Sequence, residues 1–180
     1  MNVPNAITLG RMLAVPVVVW LILEGHGGLA FWVFVGAGIS DAVDGILAKR
    51  FDLETELGRH LDPVADKLLL AAVYLTLGHL GLLPSWIVIL VVSRDAAILG
   101  GAILASTIGK GMTIQPLVVS KVNTAAQIVL AGIVLAQSAF DFLPAAAGAL
   151  VTPLVFLVAT TTVLSGATYL ARWGRWAQSE

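Results

Sequence analysis

The sequence contains no cysteine, and only 12% of its 180 residues are charged. The missing thiols exclude a disulfide framework and a thiolate metal site. The shortage of charge excludes more. A soluble domain carries about 25% charged residues, because a surface facing water needs them. Here 58% of the residues are hydrophobic, and hydrocarbon is the expected solvent. The stretch Met1 to Asn5 has no basic region of the kind that opens a cleavable signal peptide, so the first apolar run is expected to stay as a membrane helix. Lipidation motifs, charged tails and long linkers are also missing. Residues 1–180 therefore read as one domain, and no nucleic-acid partner is expected. The alternating segments of about ten residues that a transmembrane β-barrel requires are absent.

What is present is six apolar segments: Ile7 to Leu23, Leu29 to Leu47, Leu61 to Leu80, Pro84 to Ile108, Lys121 to Ser138 and Pro144 to Leu170. At about 1.5 Å per residue, each can cross a hydrocarbon core of about 30 Å, some with tilt. Loop-forming stretches separate them, such as Glu24-Gly25-His26-Gly27-Gly28 and Gly78-His79-Leu80-Gly81. Lys49, Arg50 and Arg59 fall between segments two and three, Lys110 and Lys121 between four and five, and Arg172 and Arg175 after six. The loops after segments one, three and five have no Lys or Arg. This alternation predicts an all-α membrane protein, a six-helix transmembrane bundle with both termini cytoplasmic. Small residues within the spans (Gly36, Gly38, Gly100, Gly101, Ala125, Ala126, Gly148 and Ala149) are expected to let helices pack closely, and some to join a homodimer interface. Arg11, early in segment one, is expected to snorkel or to face a polar cavity.

The candidate chemistry lies in Asp41-Ala42-Val43-Asp44-Gly45-Ile46-Leu47-Ala48-Lys49 and Gly58-Arg59-His60-Leu61-Asp62-Pro63-Val64-Ala65-Asp66-Lys67. Asp41 and Asp44, at i and i+3, share a helix face, and so do Asp62 and Asp66, at i and i+4. A short basic loop joins the two antiparallel segments, so both acid pairs are expected at the cytoplasmic end. Four carboxylates crowded in low dielectric need a cation to stay ionised. Oxygen-only donors suit Mg²⁺ or Mn²⁺, and four acids suffice for two ions, the arrangement that clamps an in-line phosphoryl displacement. Gly45 and Gly58 leave room for a diphosphate to approach the backbone. Lys49 is placed to neutralise its charge. Individually these residues have plainer readings. Asp62 before Pro63 has the form of an N-cap with proline at N1. Asp66 and Lys67 have the form of a local ion pair, and Lys49-Arg50 that of a topology signal.

As a set, Asp41, Asp44-Gly45, Ala48-Lys49, Gly58, Asp62 and Asp66 resemble the signature of the CDP-alcohol phosphatidyltransferases. The departure is Lys49 where the family usually has Arg, which keeps the charge and loses the planar fork. The opening Asn5-Ala6-Ile7-Thr8-Leu9-Gly10-Arg11 resembles the family's start as well. The resemblance implies that Asp41, Asp44, Asp62 and Asp66 hold the metal ions. It implies that Asn5, Thr8, Arg11, Asp41, Asp44, Gly45, Ala48, Lys49 and Gly58 bind the cytidine diphosphate part of CDP-diacylglycerol. Asp66 would be the base that takes the acceptor's hydroxyl proton, and CMP would leave. The expected setting is a bacterial inner (cell) membrane, among membrane lipids, with the site facing the cytoplasm.

The acceptor depends on other residues. Ser93-Arg94-Asp95 sits midway in segment four, and an intramembrane ionisable pair is a candidate functional site. Neighbouring helical residues do not face each other, so each is expected to have another partner. Phosphatidylglycerophosphate synthases usually carry a further Arg one or two turns on, whereas Ala96 to Ala105 here holds no cation. Ser120-Lys121-Val122-Asn123-Thr124 is similar to a segment of the eukaryotic-type cardiolipin synthases, as is Ser93-Arg94-Asp95. This favours phosphatidylglycerol as acceptor, with Arg94, Asp95 and Lys121 around its phosphodiester, over glycerol 3-phosphate. A remote alternative is a cation transporter, although transporters place their acids near the midplane, in broken helices. His26 and His79 lie away from the acids, and His60 reads as a solvated loop residue.

Overall fold

The apolar runs fold as helices, and most of the helices outlast their runs. The computed structural model describes the backbone of residues 3–51, 56–107, 118–140 and 144–178, and the side chains of 9–40, 65, 67–101, 118–140 and 148–171. These residues form α1 (Val3–Leu23), α2 (Gly27–Phe51), α3 (Glu56–His79), α4 (Ser85–Thr107), α5 (Val118–Ala139) and α6 (Pro144–Gln178), with no strand among them. The apolar run marks the part of a helix that matches hydrocarbon. The backbone ladder continues into polar sequence, which is why α2 runs on through Lys49 and Arg50 and α6 through Arg172 and Arg175. Lys110 lies outside the described residues.

Two turns at one end of the bundle are closed by the same device. At the end of α1, Gly25 has φ 74°, His26 N–H donates to the Leu21 carbonyl and Gly25 N–H to that of Ile22. At the end of α3, Gly81 has φ 72°, Leu82 N–H donates to Leu77 and Gly81 N–H to Gly78. Paired bonds of this kind satisfy the last carbonyls of a helix, and the positive φ favours glycine.

Helix α1 packs on α2 and α3, α2 on α5, α3 on α4 and α5, and α6 on α4 and α5. The core is built from Val18, Leu21, Phe34, Val73, Tyr74, Leu77, Ile87, Leu130 and Val158. The exterior is apolar too, with Trp20, Trp32, Ile89, Phe156 and Leu170 exposed, as suits a molecule with lipid around it. Helix α5 and the Gly148–Ala171 part of α6 are long and apolar enough to cross a membrane. Within the described residues, the apolar stretches Leu9–Leu23, Gly27–Ser40 and Lys67–His79 are shorter.

The expectation for the small residues is met only in part. Gly36, Gly38 and Gly100 have open space beside them, so they bring no helices of this chain together. Ala126 is buried in the core and Gly148 lies beside Gln137, as expected, but the tightest contacts are made by Gly27, against the backbone and hydroxyl of Ser138, and by Gly78, against Val88. Both sit at helix ends.

Candidate active site

Asp41 and Asp44 are on α2, and Asp62 and Asp66 are on α3. The helical backbone puts each pair on one face, toward the α2–α3 connection and away from the Gly25 and Gly81 turns. Helix α3 begins at Glu56, so Asp62 lies well inside it and is not its N-cap. The plain reading of that carboxylate therefore fails. The side chains of all four acids lie outside the described residues, as do those of Asn5, Thr8, Gly45, Ala48, Lys49 and Gly58.

Arg11 is described, and it is buried. It stands in the wall of a cavity of about 370 Å³ bounded by α1, α2, α3 and α5, with Phe34, Ile39, Leu69, Thr124 and Gly132 among its other lining residues. Of Arg11's two expected settings the structure supplies a cavity, but a largely apolar one and not the polar one expected. Ile39 is two residues before Asp41 and Leu69 three after Asp66, so this largely apolar chamber adjoins both halves of the acid motif.

Arg94 and Asp95 form the centre of a buried polar cluster. Arg94 Nη1 donates to Asp95 Oδ1 at 2.6 Å, so the adjacent residues do pair, against the expectation from helix geometry. Each residue also has the further partners expected of it. Arg94 Nη2 donates to Ser120 Oγ at 2.7 Å and to Ser165 Oγ. Lys67 Nζ lies 2.9 Å from Asp95 Oδ2 and 3.4 Å from Thr124 Oγ1. Among the described residues the cluster holds two cations against one carboxylate. Lys121, on the turn that carries Ser120, is exposed and takes no part in it.

Lys67, Thr124 and Ser165 were not singled out from the sequence as site residues. A signal existed for α5. Ser120, Asn123, Thr124 and Gln127 recur at three- and four-residue spacing within an apolar helix, which marks one polar face. That face is buried at Asn123 and Gln127. Asn123 Oδ1 accepts from Thr161 Oγ1 at 2.8 Å and Thr162 Oγ1 at 2.9 Å, and Tyr74 donates to the Gln127 carbonyl at 3.1 Å.

The comparisons with known proteins bear out the family resemblance. The profile of the CDP-alcohol phosphatidyltransferases matches residues 1–171. The chain belongs to that family. It is 34% identical over 186 residues to a chloroplastic CDP-diacylglycerol–glycerol-3-phosphate 3-phosphatidyltransferase of Oryza sativa, covering 94% of this chain and 56% of the rice protein. It is 30% identical over 157 residues to the cardiolipin synthase (CMP-forming) of Homo sapiens, covering 78% of this chain and 52% of the human protein. It is 33% identical over 144 residues to the CDP-diacylglycerol–glycerol-3-phosphate 3-phosphatidyltransferase of Bacillus subtilis, covering 71% of this chain and 73% of that protein. The chain thus spans about half the length of the rice and human relatives.

Proposed function

We propose that this chain is the catalytic body of a phosphatidyltransferase. It would move the phosphatidyl group of CDP-diacylglycerol to a hydroxyl of phosphatidylglycerol, giving cardiolipin and CMP. The observation that carries the reading is the acid motif, Asp41 to Asp66, borne on two helices within a family match from residue 1 to 171. The acceptor's oxygen bonds to the phosphorus that bears the diacylglycerol, and the P–O bond to CMP breaks. Asp66 takes the hydroxyl proton, because an alcohol is a poor nucleophile while it keeps it. CMP leaves with the bonding electrons. The apolar cavity beside the motif suits the acyl part of the donor, with Arg11 in its wall.

Asp41, Asp44, Asp62 and Asp66 would hold one or two Mg²⁺ or Mn²⁺ ions, since a set of four carboxylates fits a hard divalent cation. Bound there, the ions supply charge neutralisation for the diphosphate. Among the described residues Arg94 and Lys67 share one carboxylate, and this suits an anionic acceptor. The face of α5 that begins at Ser120 meets that cluster, which supports phosphatidylglycerol. The rice and Bacillus relatives support glycerol 3-phosphate as the second reading. The whole of 1–180 would then be one domain crossing the membrane six times.

The test is product analysis. Purified protein given CDP-diacylglycerol should release CMP with Mg²⁺ or Mn²⁺ and stop when EDTA is added. Asp66→Asn should abolish release, and turnover by that variant would remove the base assignment. Phosphatidylglycerol and glycerol 3-phosphate are offered in parallel. Cardiolipin as product supports the first reading, and use of glycerol 3-phosphate alone overturns it in favour of the second.

A further inference from the structure

A second and larger cavity, of about 580 Å³, lies between α4 and α6, on the other side of the Arg94 cluster from the first. Leu90, Ala97 and Ile98 line it from α4, and Val163, Gly166 and Leu170 from α6. Its lining is mostly apolar, and Arg94 is the charged residue in its wall. Arg94 is only 6% exposed, and its Nε–H has no hydrogen-bond partner. An unpaired donor on a buried cation is costly in low dielectric. An anion at the wall would satisfy that hydrogen bond and, among the described residues, offset the second cation.

The two cavities are joined by polar contacts. Thr124 lines the first and accepts from Lys67 at 3.4 Å, Lys67 pairs with Asp95 at 2.9 Å, Asp95 pairs with Arg94 at 2.6 Å, and Arg94 lines the second. Lys67 follows Asp66 in the chain. We propose that the α4–α6 groove holds an acyl chain of an anionic phospholipid whose phosphodiester meets Arg94. It is the seat of the acceptor lipid, opposite the donor's cavity. The proposal rests on the phosphatidyltransferase reading for its catalytic role. The groove's affinity for an acidic lipid stands apart from that reading. A water-soluble acceptor needs no apolar groove, whereas a second lipid does.

Gly166 makes the test practicable. A Cβ there would meet nothing closer than Arg94 Cγ at 3.9 Å, so a larger side chain grows into the groove rather than into backbone. Gly166→Leu, and Ala97→Leu from the opposite wall, should each raise KM for phosphatidylglycerol roughly tenfold. KM for CDP-diacylglycerol should move less than about twofold. An unchanged KM for phosphatidylglycerol in both variants overturns the proposal.

Lipid retention is read separately, by native mass spectrometry from nanodiscs of equal phosphatidylglycerol and phosphatidylcholine. Wild type should keep phosphatidylglycerol, and both variants should lose it. Equal retention of the two lipids by wild type overturns the proposal. If wild type retains phosphatidylglycerol through the groove yet makes no cardiolipin, the acceptor reading falls and the lipid site stands. The chain has no cysteine, so Ala167→Cys supplies a clean probe for a second copy. Efficient disulfide dimerisation of Ala167→Cys in the membrane would mean that another subunit fills the groove, and would overturn the lipid as its occupant.

Discussion

Asp95 holds two cations that would otherwise repel each other inside the bundle, Arg94 through one oxygen and Lys67 through the other. Removing the carboxylate leaves both without it, and breaking a buried pair from one side costs about 3–5 kcal/mol. Asp95→Ala should therefore lower the unfolding free energy in mild detergent by an amount of that order. Lys67→Met should cost much less, because Asp95 keeps Arg94 as its partner. Denaturant titration of the two variants checks the order. If Lys67→Met proved the more damaging, Asp95 would not be the common anchor. Arg94 and Asp95 were legible in the sequence because ionisable residues inside an apolar helix are rare. Their partners were not. Ser165 is 71 residues from Arg94, and a hydroxyl in a helix has a ready alternative in its own backbone, as Thr160 bonding to the Phe156 carbonyl illustrates.

Helix contacts turn on two glycines that differ in what they touch. A Cβ at Gly78 would come 2.8 Å from Val88 Cγ2, a side-chain atom. A Cβ at Gly27 would come 2.9 Å from both the carbonyl oxygen and the hydroxyl of Ser138. Overpacking of this kind costs about 1–3 kcal/mol. Gly78→Ala should therefore lower the melting temperature, and Val88→Ala added to it should recover much of the loss, because the obstructing methyl is gone. Gly27→Ala should lower it as well, but Ser138→Ala should recover little, because the backbone oxygen remains. Equal recovery in the two cycles would show that the helices simply move apart. At this scale the sequence was informative about where helices lie and poor about which small residues matter. Apolar runs and Gly-rich breaks located six segments because hydrocarbon thickness and turn geometry constrain them directly. Gly36 and Gly38 stand inside a span and Gly78 in a loop-forming stretch, yet it is Gly78 that meets another helix, against Val88.

The ten Lys and Arg residues divide into two groups that place the molecule as a whole. Arg11, Lys67 and Arg94 lie inside the apolar segments and are engaged at cavities or ion pairs. Of the other seven, Lys49, Arg50, Arg59, Lys121, Arg172 and Arg175 fall at the end of the bundle that bears the acid motif, and Lys110 falls between α4 and α5 in the sequence. The opposite end, with the Gly25 and Gly81 turns, has none. Six antiparallel crossings would put both chain termini with the basic group, and basic flanks stay on the cytoplasmic side. The absence of cysteine allows a direct check. Glu24→Cys and Leu82→Cys should react with a membrane-impermeant maleimide in intact cells, while Lys110→Cys and Gln178→Cys should react only after permeabilisation. Labelling of Gln178→Cys in intact cells would break the six-crossing arrangement or invert it. Inversion would also turn the four aspartates away from the cytoplasm, so one labelling pattern tests both the topology and the side on which the donor's nucleotide is bound.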